Sequence, residues 1–375
     1  HMTAQFFIET LKKYGIEFFT GVPDSLLKRV CAYISDNVNA RQNIIAANEG
    51  VAVALASGYH LATGKIGLVY MQNSGEGNTI NPLVSLADKD VYNIPILLLI
   101  GWRGEPGKHD EPQHLKQGKV TTGILNTLGI NYDVLSQDET TAAKQIEKAF
   151  NFMSTTNEVY ALIVKKDTFD QYTLKNNANN GCLMTREEAI QIVASCIEPK
   201  DCIVSTTGMI SRELFEYRTA TNSSHERDFL TVGSMGHASQ IALGIAIEKE
   251  DRRVWCFDGD GACIMHMGNM AILASLSPTN YIHVVFNNGA HDSVGGQPTV
   301  GQKISITGIA KAVGYNQAHC VNSKEGLTKE LDNLRNAAGP ILLEIMVKKG
   351  NRKDLGRPTT TPVENKKALM EFLQK

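Results

Sequence analysis

Two doubly wound α/β domains, each built on a mostly parallel sheet, are the fold this sequence predicts. Three observations lead there. Strands and helices alternate through both halves of the chain. Apolar strand runs end repeatedly in Gly-, Asn- or Ser-rich or basic loops. A polar stretch, Asn176-Asn177-Ala178-Asn179-Asn180-Gly181, interrupts the alternation near the middle, as a linker would. At 375 residues the chain is long enough for two separate cores. The expected boundaries are residues 1–170 for the first domain, 171–184 for the linker and 185–375 for the second domain with a C-terminal tail.

The first half opens with a helix over residues 4–14 and a strand running into Thr20-Gly21-Val22-Pro23-Asp24-Ser25. Ser25 stands where a helix N-cap ahead of Leu26-Leu27 is expected. Residues 42–48 begin as an extended apolar segment, and the small residues over 50–59 predict a tightly packing helix. Glu49 falls in its first turn, where a carboxylate suits the helix dipole. Residues 65–72, 94–101 and 159–165 read as further apolar strands. The second half begins with a helix over 185–195 and contains a glycine-flanked turn, Ser234-Met235-Gly236-His237, before another helix. Residues 253–258 read as a buried strand entering Gly259-Asp260-Gly261, residues 262–275 as a helix, and 281–286 as a second strand ending at Asn287-Asn288. A strand over 341–347 precedes a basic, Thr/Pro-rich tail.

Composition narrows the function classes. Lys and Arg number 37 against 39 Asp and Glu, a net charge of −2, so nothing electrostatic points to nucleic acid or an anionic membrane as a partner. No apolar run reaches the length of a membrane span, and the N-terminus lacks a basic-then-apolar leader. His1-Met2 reads as an expression scar. Seven cysteines lie scattered, with no Cys-x-x-Cys or His/Cys cluster, which suggests reduced thiols and the cytoplasm.

The chemistry is concentrated at strand ends. The strand–helix–strand unit around Gly259-Asp260-Gly261 and Asn288 brings a carboxylate and a carboxamide to the C-terminal edge of a parallel sheet, where α/β folds bind ligands. Glycines allow close approach of an anion, and the following helix N-terminus favours negative charge. Hard oxygen donors of this kind suit Mg²⁺ together with phosphate oxygens. In the other half, Arg103, Lys108, His109, His114, Lys116 and Lys119 crowd one loop after a strand. Arg103 and His109 lie in Gly- or Pro-constrained segments, and an arginine is the better bidentate partner for a tetrahedral anion. His291 and Asp292 follow the asparagine pair and are candidates for proton transfer.

Gly-Asp-Gly followed by Asn-Asn resembles the diphosphate motif of thiamine diphosphate enzymes. Asn48-Glu49 before a small-residue helix that runs on to Gly58-Tyr59 resembles their pyrimidine-domain glutamate region. The space between residues 164 and 185 is too short for the middle domain many of them carry. The chain thus resembles the two-domain thiamine diphosphate-dependent 2-oxoacid decarboxylases. Further stretches carry the resemblance: Gly21-Val22-Pro23-Asp24-Ser25, residues 101–107, Asp110-Glu111-Pro112-Gln113-His114, residues 288–297 and the tail over 355–362. It implies a pyrimidine-binding first domain, a diphosphate-binding second domain, and thiamine diphosphate with Mg²⁺ as cofactors. Asp260, Asn288 and the Ala290 carbonyl become the metal ligands. Glu49 becomes the carboxyl that hydrogen-bonds N1′ of the aminopyrimidine and so promotes loss of the C2 proton. Gly75, Asn78, Ser234, Met235, Gly259, Gly261 and Ala262 become cofactor contacts, with Met235 propping its bent form. Ser25, Arg103, His109 and His114 become substrate contacts, and Ser25, His109, His291 and Asp292 the groups for catalysis beside Glu49. The implied substrate is phosphonopyruvate, with sulfopyruvate as the alternative and a catalytically silent thiamine-binding chain as the second. The family builds its sites between subunits, so a homo-oligomer of at least two copies is expected.

Overall fold

Six parallel strands form the first sheet: β1 (Phe18–Gly21), β2 (Asn43–Ile45), β3 (Gly67–Gln72), β4 (Ile96–Gly101), β5 (Asn131–Val134) and β6 (Tyr160–Val164), in the order β2-β1-β3-β4-β6-β5. The all-apolar run of β4 is buried along its whole length, as a central parallel strand covered on both faces must be. The order in which strands are added reverses between β1 and β3, and the crevice at their C-terminal ends is the ligand position of such sheets. The second sheet is also parallel and six-stranded: β7 (Cys202–Ser205), β8 (Asp228–Leu230), β9 (Val254–Gly259), β10 (Tyr281–Asn287), β13 (Gln317–Val321) and β14 (Ile341–Met346), ordered β13-β14-β10-β9-β7-β8. A short antiparallel ladder, β11 (Ala290–His291) with β12 (Gln297–Pro298), follows β10. The computed structural model describes residues 1–375 and divides into two units, His1–Asn177 and Ala178–Lys375. Two doubly wound α/β units are therefore present.

Local chemistry explains the element boundaries. Thr185 caps the helix Arg186–Ser195 through a reciprocal box with Glu188. Asn48 caps the helix Glu49–Thr63 by accepting from the Val51 N–H, so that helix starts at Glu49 and the carboxylate occupies its first position. Ser25 does not cap: the next helix, Lys28–Asn37, has Leu27 at its cap position with no side-chain hydrogen bond. The helix expected over 262–275 is broken into Asp260–Met265 and Gly268–Leu276. His266 leaves helical space at φ −134°, ψ 55°, and its ring lies 5.0 Å from that of His237. The Thr/Pro-rich tail also departs from expectation. It contains a helix, Pro362–Phe372, capped by Thr361, whose Leu369 and Phe372 are buried. Asn365 on that helix binds the backbone of Leu230 and Asp228, pinning the helix to β8.

No helix is long and apolar enough to cross a membrane. All seven cysteines are free. The parallel register of β9 and β10 gathers Cys256, Asp258 and His283, a grouping that sequence spacing hides. His283 is satisfied there, with Nε2 2.9 Å from Asp258 Oδ2 and Nδ1 2.8 Å from the Tyr315 hydroxyl.

Candidate active site

In the first unit, Glu49 is buried, and Asn78 Nδ2 donates to its Oε1 at 3.0 Å. The Glu49 side chain lies flat against Gly75, where any Cβ would fall 2.4 Å from Oε2. Residue 75 must be glycine for the carboxylate to stay where it is. The structure therefore brings Glu49, Gly75 and Asn78 together, and leaves Glu49 Oε2 free of a hydrogen-bond partner.

A second cluster sits at the C-terminal edge of β1, β3 and β4. Arg103 forms a two-pronged ion pair with Asp110: Nε donates to Oδ2 at 2.9 Å and Nη2 to Oδ1 at 2.6 Å. Arg103 Nη1 donates to the Ser25 hydroxyl at 2.8 Å. One N–H on each terminal nitrogen of the guanidinium is left over. Asp110 Oδ1 also meets His114 Nδ1 at 2.8 Å, and the Gly104 N–H donates to Oδ2. Burial alone would raise the Asp110 carboxyl, but the hydrogen bonds from Arg103, His114 and the backbone outweigh it and hold it well below the usual carboxylate range. Buried Asn73 locks the Arg103 backbone from both sides, donating to its carbonyl at 2.7 Å and accepting from its N–H at 3.2 Å. Asp24, fully buried beside Ser25, accepts from Gln72 Nε2 at 2.8 Å. Burial raises its pKa above the ordinary aspartate value, against the opposing influence of Gln72 and Arg103.

Ser25, Arg103 and His114 thus come together around Asp110, but His109 does not join them. It is exposed on the loop with Lys108, while Lys116 and Lys119 lie exposed on the following helix. The short Pro106-Gly107 turn carries His109 outward, and it is Asp110 that folds back to organise the cationic groups.

In the second unit, Asp260 begins its helix directly off β9 and is buried. Burial pushes its pKa up to about 6, against hydrogen bonds from the Thr299 hydroxyl and the Asn288 backbone. Gly301 is a close-approach position, since a Cβ there would lie 2.4 Å from Asp260 Oδ2. The two asparagines separate in role. Asn287 is committed to the Gly301 carbonyl and Glu344, each at 2.8 Å. Asn288 Nδ2 instead donates to Asp292 Oδ2 at 2.6 Å, and its Oδ1 accepts from the Ala290 N–H at 3.0 Å. Ala290 opens β11 immediately beyond. The Ser234 backbone sits at φ +46° between Gly233 and Gly236, both also at positive φ, which makes the turn tight. Met235 is half-buried with its methyl reaching toward Gly261, in the same turn as Gly259 and Ala262.

The imidazole of His291 also lies against Gly261. Burial lowers its pKa to about 4, so at neutral pH it is an uncharged ring rather than an acid. Asp292, expected as a proton-transfer group, is engaged by several donors. Its Oδ2 receives Asn288 Nδ2, Arg186 Nη1 and the Gly350 N–H, and so is occupied by structural donors. Gln297, cross-strand from His291, is buried with both polar atoms of its carboxamide unpaired.

Each unit also carries its own sequence signature. Residues 1–123 match the thiamine pyrophosphate enzyme N-terminal TPP binding domain, and residues 206–345 match the C-terminal TPP binding domain. The chain is 30% identical to a phosphonopyruvate decarboxylase of Streptomyces viridochromogenes, over 96% of its own length and 92% of that protein's. The chain belongs to the thiamine diphosphate-dependent 2-oxoacid decarboxylases. As a member of this family it is an enzyme, a carbon–carbon lyase. A phosphonopyruvate decarboxylase of Streptomyces hygroscopicus is 29% identical across 99% of the chain and 94% of the relative. A sulfopyruvate decarboxylase of Methanosarcina acetivorans is 27% identical across 98% and 96%. The decarboxylase thus carries both TPP binding domains, Glu49 lying in the N-terminal one and Asp260 in the C-terminal one.

Several site residues had not been singled out in the sequence. Asp24 and Asp110 sit inside segments already noted, and their acidic character beside Ser25 and Arg103 was the available signal. Gln72 ends β3 and Asn73 follows it, a position that marks them once the strand is placed. Arg186 gave no signal, because it lies a hundred residues before the asparagine pair it serves.

Proposed function

We propose that this decarboxylase converts 3-phosphonopyruvate to phosphonoacetaldehyde and carbon dioxide, with thiamine diphosphate and Mg²⁺, as a step of phosphonate biosynthesis. The observation that carries the substrate choice is the Arg103 guanidinium. It is fixed by Asp110 at the crevice edge with one N–H on each terminal nitrogen uncommitted, a fork suited to a tetrahedral dianion. Sulfopyruvate is the second reading, because the Methanosarcina relative that bears that name also matches nearly the whole chain.

The residues present fit the cofactor. Asp260 is a buried carboxylate that burial disfavours as an anion, and a divalent cation would relieve that cost. Asn288 Oδ1 and the Ala290 carbonyl would complete a hard-oxygen set of the kind Mg²⁺ takes alongside phosphate oxygens. The unpaired carboxamide of Gln297 and the neutral His291 add polar capacity beside the Gly261 turn. When bound, thiamine diphosphate supplies the electron sink for loss of carbon dioxide. Glu49, held by Asn78 against Gly75, offers its free Oε2 to the aminopyrimidine. Arg103 and Ser25 bind and orient the acid. Asp24, inclined by burial to hold a proton, faces the Ser25 hydroxyl, which links it to the crevice.

The two half-sites lie in different units, and each unit exposes an apolar helix face. Val51, Ala54, Leu55 and Gly58 line one side of the helix that starts at Glu49, and Ala271, Ile272, Ser275 and Leu276 line one side of Gly268–Leu276. These faces support a working oligomer of at least two copies with sites shared between subunits. The decisive assay supplies thiamine diphosphate and Mg²⁺ and compares phosphonopyruvate, sulfopyruvate and pyruvate by carbon dioxide and aldehyde release. Phosphonopyruvate should give the highest kcat/KM by at least tenfold. Preference for sulfopyruvate would move the assignment to the second reading, and no turnover of any would favour a silent thiamine-binding chain.

A further inference from the structure

We infer that Asp292 is a positioning residue whose task is to fix the carboxamide of Asn288 with its oxygen toward the metal. This rests on the reading of Asp260 and Asn288 as Mg²⁺ ligands. An asparagine side chain can point either an oxygen or an NH₂ at a cation, and only the oxygen binds. A carboxylate only accepts hydrogen bonds, so the group that faces Asp292 Oδ2 at 2.6 Å must be the NH₂ of Asn288. Oδ1 is thereby turned to the other side, where it accepts from the Ala290 N–H at 3.0 Å and keeps a lone pair for a cation. The carboxamide cannot flip without setting its oxygen against a carboxylate.

Asp292 is itself anchored from distant parts of the chain. Arg186 Nη1 donates to the same Oδ2 at 3.0 Å, and the Gly350 N–H does so at 2.9 Å. Arg186 is 4% exposed and turns its Nε to Glu213 Oε1 at 2.6 Å, so Glu213, Arg186, Asp292 and Asn288 form one continuous buried chain. The first helical residue of this unit and the loop after β14 thus set the orientation of a ligand beyond β10. Outer partners of this kind typically control metal affinity by about ten- to a hundredfold.

The test is direct metal binding. Mn²⁺ is titrated by electron paramagnetic resonance, and Mg²⁺ by the change in intrinsic fluorescence, into purified full-length protein with thiamine diphosphate held constant. Asp292→Ala should raise the half-saturating metal concentration by about ten- to a hundredfold. Asp292→Asn, which keeps the shape and one acceptor oxygen, should fall between it and the parent and serves where the alanine variant does not fold. Turnover lost at limiting Mg²⁺ should return as Mg²⁺ is raised. Parental metal affinity in both variants, with turnover lost at every Mg²⁺ concentration, would make Asp292 a proton-transfer group and overturn the inference. Asp260→Ala separates the two readings. If it binds metal and cofactor like the parent, the metal assignment itself fails. If it loses them while the Asp292 variants do not, only the positioning role fails.

Discussion

Replacing Arg103 with alanine tests the substrate assignment where the structure is most explicit. Its guanidinium spends Nε and one N–H of Nη2 on Asp110 and one N–H of Nη1 on Ser25. The two N–H groups that remain are those a phosphonate would receive. Loss of such charge-assisted contacts costs roughly 1.5–3 kcal/mol, about ten- to a hundredfold in KM. Pyruvate has no second anionic group and should lose less than about threefold, so the ratio of kcat/KM for the two acids is the quantity to read. Arg103→Lys should recover only part of the loss, because an ammonium cannot pair with Asp110 and the ligand in one plane. Asp110→Asn should shift the same ratio in the same direction while leaving Arg103 in place, since it releases the fork from its fixed orientation. Steady-state kinetics on both acids, with folding followed by circular dichroism, gives the answer. Equal losses for phosphonopyruvate and pyruvate would refute the reasoning and make Arg103 a brace for the Ser25 loop.

Two further predictions use other parts of the molecule. Glu76 is buried, and burial raises its pKa from 4.5 to about 8 against the opposing influence of Thr121. The unfolded state ionises above 4.5 while the folded state stays protonated until about 8, so its contribution to stability falls as pH rises across that window. Glu76→Gln should therefore gain in thermal stability relative to the parent as pH goes from 5 to 8, by about 3–5 kcal/mol in total; a Tm difference that does not change with pH would contradict this. Mixing a Glu49→Gln chain with an Asp260→Ala chain should restore part of the activity that each lacks alone, because a mixed oligomer holds one intact pair of half-sites. A mixture as inactive as its components, with exchange of subunits confirmed by mass, would count against shared sites.

The sequence was informative wherever chemistry is local to a strand end. The β9–helix–β10 unit and the Glu49 helix could both be read because glycine, apolar runs and capping residues act over a few positions. The C-terminal helix also carries a signal: Thr361, then Pro362 at the first helical position and Glu364 near it, is a helix start set within a tail of basic composition. The helix break at His266 is different in kind, since the apolar periodicity runs through it without a sign. The same division runs through the site. Asp260 and Asn288 announce themselves by spacing, whereas the carboxylates that hold the working side chains do not. Asp110 stands among basic residues that suggest anion binding by themselves, and Asp292 follows a histidine, which suggests a proton carrier. In the structure each serves as the acceptor that aims a neighbour, Asp110 the guanidinium of Arg103 and Asp292 the carboxamide of Asn288. A donor in a sequence names the ligand it can bind. The acceptor that orients that donor is chosen by the fold, and here Arg186 and Gly350 reach it from segments far away in the chain.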